Sequence, residues 1–133
     1  MKPYLFLAGI VLTVASGSIP ARAHHSAAPF DFTKSATLTG TVKQFDVINP
    51  HTHAILTISD AKGTRDIGFE GHSASNFYRA GWRKGSVKAG DKITINFAPR
   101  RDGGDGGFIM QFKDASGKQV GFGGLSPSSG KQE

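Results

Sequence analysis

The sequence predicts an all-β domain that contains one short helix. Apolar residues recur at every second position in five separate segments, which is the period of a half-buried strand. Another segment, between the third and fourth of these, spaces its apolar residues at intervals of three and has helix start and stop signals. The pattern in residues 36–113 therefore predicts three strands, a helix and two more strands.

The first predicted strand covers residues 36–48 and contains a change of phase. Leu38 and Val42 occupy one face, whereas Phe45 and Val47 follow on the other parity. Such a switch is typical of a β-bulge in a long curved strand.

The next two predicted strands form a hairpin. Asn49-Pro50 marks a turn, after which residues 53–59 alternate in hydrophobicity. A short loop at residues 60–63 then leads into residues 65–70, where Ile67 and Phe69 share one face.

The predicted helix follows this hairpin. Ser73 is a suitable N-cap, Ala74, Phe77 and Ala80 lie three residues apart, and Gly81 is a common stop. These signals indicate a helix of about two turns.

The last two predicted strands, residues 93–97 and 108–112, flank a glycine-rich loop at residues 102–107. Val120 and Phe122 predict a brief extension. This order of elements, with a bulged first strand, matches a small five-stranded barrel of the oligonucleotide/oligosaccharide-binding (OB) type. A small β-sandwich is the main alternative, and the single helix disfavours it.

The amino-terminal residues predict a cleaved signal peptide. Lys2 precedes an apolar run, and Ala21-Arg22-Ala23 provides the small residues of a cleavage site. Cleavage after Ala23 makes His24 the first residue of a periplasmic or secreted protein. The predicted organisation is a leader at residues 1–23, an N-terminal segment at 24–35, the OB-like barrel at 36–125 and a disordered tail at 126–133.

Composition excludes several classes of protein. The chain has 16 Lys and Arg against 10 Asp and Glu, a net charge of +6 that falls to +4 when Lys2 and Arg22 leave with the leader. It has no cysteine, which excludes disulfides and thiol redox chemistry. No segment after the leader approaches the ~20 apolar residues of a membrane-spanning helix, so we expect no membrane span.

Several short motifs resemble one family. Together, in order, they cover nearly the whole predicted mature domain, and they are Ala23-His24-His25-Ser26, Phe30-Asp31, Leu38-Thr39-Gly40-Thr41-Val42, Asn49-Pro50-His51, Phe69-Glu70, Gly81-Trp82 and Val87-Lys88-Ala89-Gly90-Asp91. They resemble a family of small exported bacterial proteins known as a domain of unknown function. The resemblance implies a periplasmic or secreted β-rich domain and no particular activity. The chain departs from the family pattern at two positions. Family members usually have an aromatic residue near the position of His53, and they have no histidine at the position of His72.

The positions of the histidines lead to the hypothesis of a metal-binding site. In a strand, His51 and His53 project to the same face about 7 Å apart. A terminal His24 adds a free α-amine and its own imidazole, and His25 follows it. Nitrogen donors without thiolates suit copper or another divalent metal such as nickel or zinc. The predicted site is therefore His24 with His51 or His53, and with His25 as a less favourable donor.

The plainer alternative is that His24 and His25 form a frayed polar terminus and that His51 caps a turn. An enzyme is not expected, because no nucleophile, base and orienting group occur together. Glu70 and His72 lack a nucleophile beside them, and the loop at residues 102–107 lacks the ligands of a calcium or phosphate site.

Basic residues provide a second hypothesis, an adaptor that binds a protein, a glycan or another anionic ligand. The proposed contacts are Arg83, Lys84, Arg100 and Arg101, if the barrel gathers them on one face. The predicted compartment argues against nucleic acid as the partner. A solvated basic surface without a ligand is the alternative.

Overall fold

The structure is a computed structural model that describes residues 29–122. Six strands and one helix form in this range. Their bounds are β1 Ala36–Asp46, β2 Thr52–Asp60, β3 Gly63–Gly71, α1 Ala74–Arg79, β4 Lys92–Pro99, β5 Gly107–Lys113 and β6 Gln119–Gly121. The predicted leader and tail lie outside the described residues.

The strands close into a barrel. The hydrogen-bonded order is β3-β2-β1-β4-β5-β6, and β3 also pairs with β5. That last pairing is parallel and joins Phe69 to Gly107 and Glu70 to Phe108. The five main strands thus form a closed mixed barrel with the connectivity of an OB fold, as the sequence predicted. The predicted extension is the three-residue β6, which pairs with β5.

β1 belongs to both halves of the barrel because it bends. Its first half, Ala36 to Thr41, pairs with β4, and its second half, Thr41 to Asp46, pairs with β2. The register shifts between Val42 and Gln44, which confirms the predicted bulge. The predicted hairpin is also confirmed, with Asp60 opposite Gly63.

Helix α1 closes one end of the barrel. Phe77 is fully buried and contacts the rings of Phe45, Trp82, Phe112 and Phe122. The other buried side chains of the interior come from all five main strands and from the segments after α1 and β5, so the helix covers the apolar core inside the barrel. No helix in the described part of the chain has the length and apolar character needed to span a bilayer.

The helix start differs in detail from the prediction. Ser73 occupies the N-cap position, but its side chain makes no capping hydrogen bond. The N–H of Ala74 instead donates to Oδ1 of Asn49 and to the carbonyl of Ile48, both from the β1–β2 loop. A tertiary contact has therefore taken over the role of a local cap. Gly81 follows the helix with φ of 98°, as expected for a stop.

A segment before β1 covers the outer surface of β5. We call residues 29–33 the strap. Phe30 is 2% exposed and packs with Phe32 against Phe108, beside Ala98 and Met110. β5 is therefore buried on both faces. The strap belongs to the predicted N-terminal segment at residues 24–35, and its two phenylalanines pack directly on the barrel.

Candidate functional site: a groove beside the strap

A groove lies on the outer face of β2 and β3. His53 and Glu70 are opposite each other across the two strands, and Ile55 is opposite Gly68. Because Gly68 has no side chain, the surface is indented at this point. The cavity has a volume of about 390 Å³ and is also lined by Phe30, Arg100 and Asp105.

The strap reaches this groove and is held there by the backbone. The N–H of Asp31 donates to the carbonyl of Pro99, and the N–H of Arg101 donates to the carbonyl of Pro29, both at 2.8 Å. Phe30 lines the same groove as His53. The chain is thus fixed beside His53 at a point five residues after His24, and five residues span at most ~18 Å.

Charged groups surround the groove in pairs. Asp102 accepts two hydrogen bonds from the Arg100 guanidinium and one from the N–H of Gly104, and these lower the pKa of Asp102 to about 2. Asp105 accepts a hydrogen bond from Nε of Arg65 at 3.1 Å. Both carboxylates of the glycine-rich loop are therefore paired with arginines.

The charge of Glu70 also affects the pKa of Arg100. The pKa of Arg100 is raised chiefly by its hydrogen bond and ion pair with Asp102. Burial opposes this increase, and the negative charge of Glu70 adds a lesser one. His53 is exposed beside Glu70, so the groove presents an imidazole, a carboxylate and a guanidinium to solvent.

The other two described histidines lie near the same end of the barrel. The ring of His72 is 4.9 Å from that of Phe108, which in turn packs against Phe30. Burial lowers the pKa of His72, and the nearby charge of His51 lowers it further. His51 is half-buried, at the residue before β2.

The two histidines of the predicted pair have different neighbours in the structure. His53 borders the groove, whereas His51 lies within electrostatic reach of His72. Residues 29–122 contain no group of three histidine or acidic side chains placed to hold a metal ion. His24 and His25 lie outside the described residues, so the metal site remains a prediction that needs donors from the terminus.

The four predicted basic contacts fall into two pairs that precede and follow β4 along the chain. Arg83 and Lys84 precede the strand, whereas Arg100 and Arg101 follow it. Eight strand residues extend ~26 Å. Lys84 borders one cavity and Arg100 borders another. A single basic face built from all four residues remains a prediction.

Sequence reasoning did not identify the strap or the groove floor. One signal was present: Phe108, Ile109 and Met110 are consecutive apolar residues, which is the pattern of a strand buried on both faces. The indentation at Gly68 had no signal of its own, because its effect depends on which strands are neighbours.

Comparisons with known proteins identify a family. A model of DUF6152, described as a family of unknown function, matches residues 11–110. None of the curated proteins compared with the chain matches it in sequence.

Several solved structures are similar to the barrel. A mitochondrial single-stranded DNA binding protein from S. cerevisiae, Rim1, is 7% identical, with 61% of this chain and 92% of that chain covered and a TM-score of 0.46. Apo TiaS, a tRNAIle2 agmatidine synthetase, is 13% identical, with 60% of this chain and 18% of that chain covered and a TM-score of 0.42. Similarities this low say nothing about function.

Proposed function

The chain belongs to DUF6152, a family of unknown function, and we propose that it is an exported, noncatalytic domain that binds a divalent transition metal, copper foremost. In this proposal the ligands are the α-amine and imidazole of a processed His24 together with His53. His25 and His51 are secondary donors. The ion lies at the groove on the outer face of β2 and β3.

The observation that supports this proposal is the position of the strap. Two backbone hydrogen bonds and a buried phenylalanine hold residues 29–33 at the edge of the groove that His53 lines. A terminus ~18 Å long at most, starting from this point, has His53 within its reach.

The donor chemistry agrees with this placement. His53 is exposed, so its ring nitrogen is available to an ion without a desolvation cost. Glu70 lies directly opposite and supplies negative charge beside a divalent cation. Nitrogen-rich sites favour Cu(II) over the other divalent first-row metals.

The test is a Cu(II) titration of protein that begins at His24. Adding one residue before His24 converts its amine into an amide, and we expect the affinity to fall at least tenfold. We expect a similar loss for His53→Ala, because one imidazole donor is removed. His51→Ala is the matched control, since it removes an imidazole two residues away and should have a smaller effect.

A second control separates the barrel from its terminus. A synthetic peptide of residues 24–33 keeps the amine and both terminal imidazoles but lacks His53. We expect the whole protein to bind Cu(II) at least tenfold more tightly than this peptide. Equal affinity for the protein, its extended form and His53→Ala would refute the proposed site.

A further inference from the structure

A second groove lies on the side of the barrel where α1 meets the β1–β2 loop. We call it the aromatic groove, and it is lined mainly by Phe45, Val47, Ile48, Tyr78, Trp82 and Lys84. Ile48 is 49% exposed and Tyr78 is 46% exposed, and they are the exposed large hydrophobic side chains of residues 29–122. Both border this one cavity, whose volume is about 410 Å³.

The groove has a fixed shape. Trp82 is 7% exposed, and its ring meets Tyr78 edge to face at 5.1 Å between centroids and Phe77 at 6.4 Å. The guanidinium of Arg83 donates to the carbonyls of Tyr78 and Trp82, at 3.0 and 2.7 Å. These contacts hold the end of α1 and the following turn together, so the aromatic walls are in place before any partner arrives.

The rim of the groove has two basic residues, Arg83 and Lys84, and one acidic residue, Asp46. Lys84 borders the cavity and Arg83 is exposed next to it. Asp46 is the acidic residue among those that line the cavity, and its carboxylate accepts a hydrogen bond from Gln44. An apolar cleft with a basic edge complements a partner that combines an apolar side chain with acidic neighbours.

We propose that the aromatic groove is a protein-docking site that takes an acidic segment of a partner, with one aliphatic side chain packed against the exposed Ile48 and Tyr78. Trp, Tyr and Arg are the residues that dominate the energy of protein interfaces. A membrane surface fits less well, because the walls enclose a cavity that a flat lipid surface would leave unfilled. The proposal is independent of metal binding at the other groove.

Trp82 makes the test direct, because it is the single tryptophan of the chain and lines the cavity. The probes are tryptophan-free peptides of sequence acetyl-Asp-Glu-X-Asp-Glu-amide, with X as Leu, Ile or Val. We expect a saturable change in Trp82 emission at low salt. Peptides with Lys in place of the four acidic residues should give no response.

Three variants locate the response. Tyr78→Ser and Lys84→Glu should weaken peptide binding at least tenfold. Lys62→Glu is the matched control, since it makes the same charge change on an exposed side chain at the opposite end of β2 and should leave binding within twofold.

Two results would overturn the proposal. One is the absence of a saturable response to all three acidic peptides. The other is an emission change with vesicles of phosphatidylglycerol and phosphatidylcholine that the acidic peptides do not compete away, which would assign the groove to a lipid surface. An intact near-ultraviolet circular dichroism spectrum of each variant establishes that it is folded.

Discussion

His72 shows how one side chain can make stability depend on pH. Its ring lies between Phe108 and Phe122, 4.9 Å from each centroid, and its buried Nε2 has no hydrogen-bond partner among the described residues. Burial and then the charge of His51 lower its pKa from the ordinary value of 6.5. The folded state therefore favours the neutral imidazole more than the unfolded state does.

We predict that the free energy of unfolding falls as the pH is lowered through 6.5, because the unfolded chain takes up a proton there more readily than the folded chain. The His72 contribution is fully present above this pH. Urea denaturation at pH 7.5 and pH 5.5 measures the loss. In His72→Phe the loss should be smaller, since phenylalanine fits the apolar contacts and does not titrate. An unchanged pH dependence in this variant would show that His72 is not responsible.

Sequence reasoning reached the residue scale only in part. It singled out His53 as a metal donor, and that side chain is exposed at a groove. It could not place His72 between two aromatic rings, because Phe108 and Phe122 come from segments at least 36 residues away along the chain. Contacts of this kind depend on the closed barrel and leave no local pattern.

At the scale of elements, the strap is held by packing as well as by hydrogen bonds. Two backbone bonds join it to the end of β4 and the turn that follows, and the rings of Phe30 and Phe32 pack against Phe108. Phe30 is thus the one fully buried side chain of the strap and its main apolar anchor.

We predict that Phe30→Ala lowers the free energy of unfolding by about 3 kcal/mol, because it leaves a cavity over β5. Phe32→Ala should cost less, since Phe32 is only half-buried. Chemical denaturation gives both values. Hydrogen exchange gives a local check, because the N–H of Arg101 should exchange faster in Phe30→Ala once its bond to Pro29 opens more often. Unaltered exchange at Arg101 would mean that the strap does not depend on Phe30.

The strands and the helix were predictable because the apolar residues of each recur at a characteristic spacing. The bulge was predictable because that spacing changes phase within β1. The strap was not predicted, since two phenylalanines in a short segment before a strand have no periodicity. The capping of α1 by Asn49 is a similar case. Its donor and acceptor are 25 residues apart, so Ser73 was the better choice from the sequence alone.

At the scale of the whole molecule, closure of the barrel depends on two glycines. Gly107 pairs with Phe69 of β3 and with Pro99 of β4, and a Cβ there would lie 2.1 Å from the carbonyl oxygen of Ala98. A Cβ on Gly106, whose φ is 87°, would lie 2.0 Å from the carbonyl oxygen of Gly68. Both obstacles are backbone atoms, which cannot move without shifting a strand.

We predict that Gly107→Ala lowers the free energy of unfolding by about 3 kcal/mol, because the added methyl group forces β5 away from its neighbours. Gly68→Ala is the matched control. A methyl group on Gly68 would have nothing within 4 Å of it, so we expect a change within about 0.5 kcal/mol. Thermal and chemical unfolding measure both variants. A Gly107→Ala protein as stable as Gly68→Ala would show that β5 can move without cost.

For the metal site that we propose, tethering by the strap has a consequence for how an ion would be captured. A donor attached by a short chain stays within a small volume around its counterpart, which is equivalent to a local concentration in the millimolar range or above. Each donor can then bind the ion weakly by itself while the complete set of donors retains it. The entropic cost of bringing the strap and β2 together is met when the barrel folds. Fast exchange of single donors would also let another metal-binding molecule remove the ion stepwise.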